Sequence, residues 1–290
     1  MHQIEMKNRQ VCLITDLDGT LLGHHDYAYE AVLPVVEQLK MQHIPVVLNS
    51  SKTGAELLQW FTKLKLSSPF ISENGGVIFL PDGTQNADGV ANLTKILIGK
   101  PYAEIREILE TIRQQTGLNF RGFGDMTVEQ VVEATGLARA DAANAKSREV
   151  SEPIQWLDTE ERIVVFKELL QKHQLKLLRG GRFYHVMAEH DKAEAIDYLL
   201  SSELMSDKAS RSNAKEFCRE DYFVVALGDG ENDREMLQKA DLAVVLPAAN
   251  FNTLQLQASA DAYPKQVVYA EKPAPEGWAE TILQWVVAKV

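Results

Sequence analysis

Short apolar runs alternate with helix-like stretches over the first 72 residues of this 290-residue chain. Residues 11–15, 44–48 and 69–72 have the length and apolar character of buried strands. Between them, residues 29–41 and 53–64 place apolar side chains at the spacing of one helix face. Parallel strands need a crossover connection, which is usually a helix, so this alternation predicts a parallel α/β sheet.

The pattern changes in the middle of the chain and then returns. Residues 76–80, followed by Pro81-Asp82-Gly83, predict a hairpin at the sheet edge. The middle region contains predicted helices and short strands in runs, which is typical of an α+β module. Its predicted helices are 101–116, 127–135 and 159–173, and its predicted strands are 154–156, 176–178 and 183–187. The alternation resumes with a helix at 191–204, a strand at 223–227, a helix at 231–239, a strand at 242–246 and a final helix at 275–289.

We therefore expect an α/β fold in which one Rossmann-like core is interrupted by an insertion. The core comprises residues 1–83 and 188–290, and the inserted α+β module comprises residues 84–187.

The charge and cysteine content exclude several functional classes. The chain has 30 Lys and Arg against 41 Asp and Glu, a formal net charge of −11. An acidic surface argues against binding to nucleic acid or to anionic membranes. The two cysteines, Cys12 and Cys218, are too few for a disulfide scaffold or a cysteine-based zinc site. The polar first ten residues and the lack of an 18-residue apolar run lead us to expect a cytoplasmic protein.

Acidic residues directly follow two of the predicted strands. Asp16 and Asp18 end the first apolar run, and Asp229 and Asp233 follow the strong strand of the second half. The i, i+2 spacing of the first pair lets both carboxylates face one site, and Gly19 permits a tight turn after them. The carboxyl ends of parallel strands form the ligand crevice of such sheets. Four converging acids repel one another, so we expect a hard divalent cation, Mg²⁺, among them.

Two further residues suit a phosphate group. Ser50 follows the second strand just before a predicted helix, where a hydroxyl and backbone N–H groups favour an anion, although an ordinary helix N-cap explains Ser50 equally well. Lys192 opens the helix after the insertion, against the helix dipole. An exposed, solvated lysine is the alternative interpretation there.

These motifs, in this order, resemble the haloacid dehalogenase-like phosphatases over essentially the whole chain. Residues 16–20 (DLDGT) resemble motif I, Ser50 motif II, Lys192 motif III and residues 228–233 (GDGEND) motif IV. The long insertion between motifs II and III resembles the C2-type (IIB) cap subgroup, and residues 72–76 (SENGG) are similar to a pattern of that subgroup. This resemblance implies that residues 84–187 form an α+β cap that determines substrate specificity.

The resemblance implies a mechanism with an aspartyl-phosphate intermediate. Asp16 would attack phosphorus, and Asp18 would protonate the leaving oxygen and later accept a proton from water. Asp16 and Asp229 would ligate Mg²⁺ through their side chains and Asp18 through its carbonyl, while Asp233 orients the metal or its waters. The implied phosphate-binding residues are Ser50 and Lys192.

A narrower set of motifs resembles the mannosyl-3-phosphoglycerate phosphatases. It comprises residues 50–53 (SSKT), 135–137 (TGL), 148–149 (RE), 151–153 (SEP) and 179–183 (RGGRF). This resemblance implies hydrolysis of mannosyl-3-phosphoglycerate to mannosylglycerate and phosphate. The cap residues that it implies for binding are Arg148, Glu149, Arg179, Gly180, Gly181 and Arg182. A tight hairpin with two solvated arginines is the alternative for the last four, and Glu73 and Asn74 can be loop caps rather than ligands.

Other functions stay open at this point. A different sugar- or polyol-phosphate phosphatase, or a phosphomutase, fits the same scaffold, because fold and catalytic motifs do not select the substrate. A non-catalytic, receiver-like phosphoacceptor also places acids at strand ends, but the Asp18 position, the cap and the length disfavour it. The sequence leaves the oligomeric state undetermined.

Overall fold

A computed structural model describes residues 9–24, 26–87, 89–179, 183–201, 219–248, 253–259 and 262–289. The strands of these residues are β1 (Gln10–Thr15), β2 (Val46–Leu48), β3 (Phe70–Ser72), β4 (Val77–Gln85), β5 (Ala91–Leu97), β6 (Phe120–Gly122), β7 (Ser151–Trp156), β8 (Leu175–Arg179), β9 (Tyr184–Ala188), β10 (Tyr222–Gly228), β11 (Leu242–Val245) and β12 (Gln266–Tyr269).

The α-helices of the same residues are α1 (Leu33–Met41), α2 (Gly54–Lys63), α3 (Tyr102–Thr116), α4 (Val128–Thr135), α5 (Arg139–Ala145), α6 (Arg162–Lys172), α7 (Lys192–Ser201), α8 (Arg234–Gln238) and α9 (Glu276–Ile282). The last helix continues as a π-helical segment over Leu283–Val287. In this part of the chain, no helix combines the length and apolar character needed to cross a membrane.

The central sheet has five parallel strands in the order β12-β11-β10-β1-β2. Its strands are apolar almost throughout because both faces are covered. Leu13 of β1 packs in a cluster with α1, α2 and α9, whereas Ile14 faces a second cluster with α7 and α8. The core is therefore a helix–sheet–helix sandwich, as the alternation predicts.

The order of the strands places a topological switch point between β1 and β10. From β1 the chain adds β2 on one side, and after the insertion it adds β10, β11 and β12 on the other. Ligands of open parallel sheets bind at the carboxyl ends of the strands beside such a point. Asp16 follows β1 and Asp229 follows β10, so both acids start at this crevice.

The inserted module is built around a four-stranded antiparallel sheet in the order β6-β7-β9-β8. Helices α3 and α6 cover one face of this sheet and share an apolar cluster with it. Helices α4 and α5 contribute to a separate small cluster, and α5 reaches the core, where Thr53 Oγ1 donates a hydrogen bond of 2.9 Å to Asn144 O.

Most predicted elements, and the α/β fold with an inserted α+β module, are confirmed. The predicted hairpin turn at Pro81-Asp82-Gly83 is wrong, because β4 runs through these residues and the turn lies between Asn86 and Val90. The Asp82 carboxylate accepts hydrogen bonds from Thr84, and the register of β4 shifts there, which is how a strand accommodates turn-forming residues as a bulge. The predicted helix at 191–204 is seen over Lys192–Ser201, and residues 202–204 lie outside the described residues.

Four observed elements were not predicted from the sequence: β5, β6, α5 and β12. The core and cap boundaries at 83/84 and 187/188 stay a prediction. Strand β4 spans the first of these boundaries and pairs with β5 in a three-stranded sheet with β3.

Candidate active site

A buried ion pair occupies the centre of the crevice. Asp16, the residue after β1, is 5% exposed, and Lys192, the first residue of α7, is 1% exposed. Lys192 Nζ lies 2.5 Å from Asp16 Oδ1 and 2.6 Å from Asp233 Oδ1. Burial alone lowers the pKa of Lys192, but the two carboxylates more than offset it and the pKa is raised, so the ammonium stays charged. The solvated alternative for Lys192 is therefore excluded.

Asp229 approaches the same point from β10. Thr20 Oγ1 donates a hydrogen bond of 3.2 Å to Asp229 Oδ1. Gly19 has a φ of +76°, and a Cβ there would lie 2.6 Å from Asp229 Oδ2. Only glycine therefore combines this left-handed turn with the close approach of the carboxylate. Burial, with the nearby Asp233 adding to its effect and Thr20 opposing it, raises the pKa of Asp229 to about 7.

Asp233 holds the loop that carries Asp229. Its Oδ2 accepts hydrogen bonds of 3.1 Å from the backbone N–H groups of Asp229 and Gly230. Its Oδ1 accepts a hydrogen bond of 2.6 Å from Lys192 Nζ. Both carboxylate oxygens are thus occupied by donors of this chain, so Asp233 fixes the geometry of the loop and of the lysine.

The site fits a hard divalent cation by its donor set. Asp16, Asp229 and Asp233 each offer one carboxylate oxygen, and these atoms lie within 4.8 Å of one another. Burial raises the pKa of Asp16 well above its ordinary value, with Asp233 and Asp229 adding to the effect and Lys192 opposing it. Lys192 is one positive charge among three acids, so a further cation would relieve their repulsion.

Asp18 points toward a second lysine, Lys52. Asp18 Oδ2 lies 2.9 Å from Lys52 Nζ, and Asp18 Oδ1 is buried without a hydrogen-bond partner. Lys52 also approaches Glu56 Oε1 at 3.9 Å and the ring of Tyr27 at 5.1 Å. Sequence reasoning missed Lys52 as a site residue. Its sequence signals were its place in the motif at residues 50–53 and its position directly before the helix cap that Thr53 forms.

Ser50 lies in the tightly held loop between β2 and α2. It is 1% exposed, its N–H donates to Ile71 O, and its carbonyl accepts from Asn74 N–H. Its Oγ accepts a hydrogen bond of 3.4 Å from Lys52 N–H. Thr53, not Ser50, caps the helix, so the N-cap alternative for Ser50 is excluded. A role for Ser50 in phosphate binding stays a prediction.

Glu73 connects the core to the beginning of β7. This residue is fully buried and has a φ of +51°. Its Oε1 accepts a hydrogen bond of 2.8 Å from Glu149 N–H, and its Oε2 accepts from Val150 N–H at 3.1 Å and from Ser151 Oγ at 2.6 Å. Glu73 therefore anchors the segment that carries the predicted cap residues.

The predicted cap residues lie in different environments. Arg148 donates hydrogen bonds to the carbonyl oxygens of Ser51 at 3.0 Å and Ala145 at 2.9 Å. The Glu149 carboxylate pairs with Lys95 of β5 at 3.1 Å. Arg179 is exposed, with its guanidinium 5.9 Å from the ring centre of Tyr184. The remaining three predictions, Gly180, Gly181 and Arg182, lie outside the described residues.

The chain is similar to known proteins over nearly its whole length. The family described as haloacid dehalogenase-like hydrolase matches residues 13–260. A relative from Persephonella marina, named glucosyl-3-phosphoglycerate/mannosyl-3-phosphoglycerate phosphatase, is 33% identical over 281 residues, covering 93% of this chain and 95% of the relative. A relative of the same name from Methanococcoides burtonii is 32% identical over 281 residues, covering 94% of this chain and 96% of the relative.

A solved structure shows the same fold. The crystal structure of a haloacid dehalogenase-like hydrolase from Bacteroides thetaiotaomicron superposes with a TM-score of 0.63 at 16% identity, covering 95% of this chain and 99% of that one.

Proposed function

Because the chain belongs to the haloacid dehalogenase-like hydrolases and is a phosphoric monoester hydrolase, we propose that it hydrolyses mannosyl-3-phosphoglycerate, with Mg²⁺ as its cofactor. The products are mannosylglycerate and phosphate. The observation that carries the chemistry is the placement of Asp16 at the switch point, beside the buried ammonium of Lys192 and the acid Asp229.

Asp16 is the nucleophile in this proposal. Its carboxylate attacks the phosphorus atom, a carboxylate–phosphorus bond forms, and the bond between phosphorus and the glycerate oxygen breaks. Lys192 already pairs with Asp16 Oδ1, so its charge also attracts the incoming phosphate and stabilises the negative charge that develops on the phosphoryl oxygens. Ser50 is proposed to bind the same group.

Asp18 is the general acid and base. It follows the nucleophile by two residues and lies at the same strand end. In the first step it gives its proton to the departing oxygen, which leaves it as a carboxylate. That carboxylate then takes a proton from the water that hydrolyses the aspartyl-phosphate, so one residue serves both steps.

The proposed metal ligands are the side chains of Asp16 and Asp229 and the carbonyl oxygen of Asp18. When bound, Mg²⁺ offsets the repulsion between the anionic nucleophile and the anionic phosphate. Asp233 orders this site through Lys192 and through the backbone of residues 229–230.

The substrate assignment is supported by the names of the two relatives and by the inserted module. We propose that residues 84–187 form a specificity cap over a core of residues 1–83 and 188–290. Arg148, Glu149 and the segment 179–182 are proposed substrate contacts. A charged sugar phosphate does not cross a bilayer unaided, so we place the enzyme with its substrate in the cytoplasm.

The decisive experiment is a phosphate-release screen over phosphorylated metabolites. We expect mannosyl-3-phosphoglycerate, or its glucosyl counterpart, to have the highest kcat/KM, ahead of hexose phosphates, polyol phosphates and p-nitrophenyl phosphate. Preference for an unrelated ester would refute the substrate assignment. Product analysis identifies a mutase, because a mutase moves the phosphoryl group to another hydroxyl and releases no phosphate.

A further inference from the structure

Lys52 is a second, half-buried cation at the site, and it pairs with Asp18 whereas Lys192 pairs with Asp16. Its side chain is 12% exposed, and Asp18 Oδ2 at 2.9 Å is its one partner within hydrogen-bond distance among the described residues. Glu56 Oε1, at 3.9 Å, is too distant for a hydrogen bond. An ammonium has three donors, so Lys52 retains donors for a ligand while it contacts Asp18.

The surrounding groups hold Lys52 in this position. Glu56 Oε2 accepts hydrogen bonds of 2.9 Å from Thr53 N–H and 3.0 Å from Thr53 Oγ1, which fixes the carboxylate at the helix start. The ring of Tyr27 lies 5.1 Å from the ammonium on another side. A lysine that is pre-positioned in this way loses little conformational entropy when it binds an anion.

Other cations near the site are committed to different partners. Lys192 pairs with Asp16 and Asp233 on the phosphoryl side. The Arg148 guanidinium donates to the carbonyl oxygens of Ser51 and Ala145. Lys52 is the cation that contacts the proposed acid itself, and therefore it lies on the side where the leaving group departs.

We propose that Lys52 is a specificity residue that binds an anionic group of the leaving alcohol, namely a carboxylate two carbon atoms from the ester oxygen. This inference rests on the proposed function and identifies which feature of a 3-phosphoglycerate ester the site selects. Asp18 must come within about 3 Å of the ester oxygen to protonate it. The ammonium is then within about 6 Å of that oxygen, which a carboxylate two carbons away can span.

The test compares two phosphate esters that differ at this group. 3-Phosphoglycerate carries the carboxylate, and glycerol 3-phosphate has a neutral hydroxymethyl group in its place. We expect Lys52→Met to lower the ratio of kcat/KM for the first over the second by about 30-fold or more, mainly through KM. Lys52→Arg, which keeps the charge, should restore most of the ratio. Lys63→Met, at the far end of the helix that follows Lys52, should keep the wild-type ratio.

Each outcome has a distinct meaning. An equal loss on both esters would show that Lys52 only positions Asp18 and would overturn the proposal, as would an unchanged ratio. If Lys52→Met fails to fold in a thermal unfolding assay, Lys52→Gln provides the same comparison. The wild-type enzyme with mannosyl-3-phosphoglycerate tests the proposed function separately. Suppose that the wild-type enzyme hydrolyses that substrate but that Lys52→Met leaves the ratio of kcat/KM for the two esters unchanged. That result refutes only the inference about Lys52.

Discussion

Glu73 Oε2 lies 2.6 Å from Ser151 Oγ, although 78 positions separate the two residues in the chain. The contact links a core loop to the first residue of β7, in the inserted module. Glu73 is fully buried, and every hydrogen bond that the structure shows to its carboxylate comes from residues 149–151. Glu73 is thus one of the points that hold this module on the core, beside the contacts of Thr53 with Asn144 and of Arg148 with Ser51.

Glu73 and Ser151 should therefore be coupled in their contributions to the free energy of unfolding. We expect Glu73→Gln to lower the free energy of unfolding by about 1–3 kcal/mol, because an amide NH₂ would face backbone N–H donors. Ser151→Ala should cost less, and a double-mutant cycle in urea should give a coupling of at least about 0.5 kcal/mol. Glu149→Gln, which keeps its backbone N–H for Glu73, is the control and should stay within about 0.5 kcal/mol of wild type. Additive single and double variants would disprove the coupling.

Replacement of the nucleophile should abolish turnover without unfolding the protein. Asp16→Asn keeps the shape of the side chain but removes the attacking carboxylate, so we expect kcat to fall by about 1,000-fold or more. Lys192 retains Asp233 as a partner, which preserves the buried pair. Phosphate release and the thermal unfolding midpoint are the measurements, and Asp82→Asn on the distant hairpin is the control. Parental activity in Asp16→Asn would exclude Asp16 as the nucleophile.

The metal site should be visible in stability as well as in activity. Chelation of divalent cations should eliminate phosphate release, and Mg²⁺ should restore it. Binding to the folded state alone stabilises by about 2.7 kcal/mol at a hundredfold excess over Kd, so Mg²⁺ should raise the unfolding temperature. Asp229→Asn should greatly reduce this rise, whereas Asp197→Asn, on the surface of α7, should not. Turnover that persists in metal-free buffer would contradict the proposed site.

Mild acid should lower the free energy of unfolding of the protein through His190. Burial lowers the pKa of His190 to about 4, despite the raising effect of its contact with the Glu73 carbonyl, and its ring packs against Gly76 and Gly99. The unfolded chain takes up this proton near pH 6.5, so it binds more protons than the folded chain between about pH 4 and 6.5. Stability is complete above pH 6.5 and falls below it, by at most about 1.4 kcal/mol per pH unit for this group.

The measurement for His190 is the free energy of unfolding at several pH values. Between pH 6.5 and 4.5, the slope of the unfolding free energy against pH should be smaller in His190→Gln than in wild type. The expected difference corresponds to the uptake of about one proton on unfolding. His173→Gln, at the exposed end of α6, should leave the slope unchanged. Equal slopes in wild type and His190→Gln would rule out this source of acid sensitivity.

The strand-end acids could be predicted because their signal is local. An apolar run that ends in Asp16, or in Gly228 and Asp229, already determines which end of the sheet the carboxylates occupy. The capping box of Thr53 and Glu56 is likewise a local feature, because all its groups lie within four residues. The proposed roles of the site residues still await the experiments above.

Lys52 and Glu73 could not be interpreted correctly from the sequence because their partners come from tertiary structure. The sequence leaves the role of each charge open, and only the fold brings Asp18 against Lys52 and the segment 149–151 against Glu73. The turn prediction at residues 81–83 failed for a related reason. Turn-forming residues are also suited to a bulge, and pairing of β4 with β5 decides between the two.

The position of β1 has a consequence for synthesis on the ribosome. Strand β1 emerges early, but its neighbour β10 follows only after the entire inserted module and α7. At about 5–20 residues per second, one edge of β1 waits about 10–40 s for its partner. An exposed apolar strand edge pairs readily with other chains. The arrangement that later joins Asp16 to Asp229 therefore leaves one edge of β1 unpaired until translation has passed Gly228.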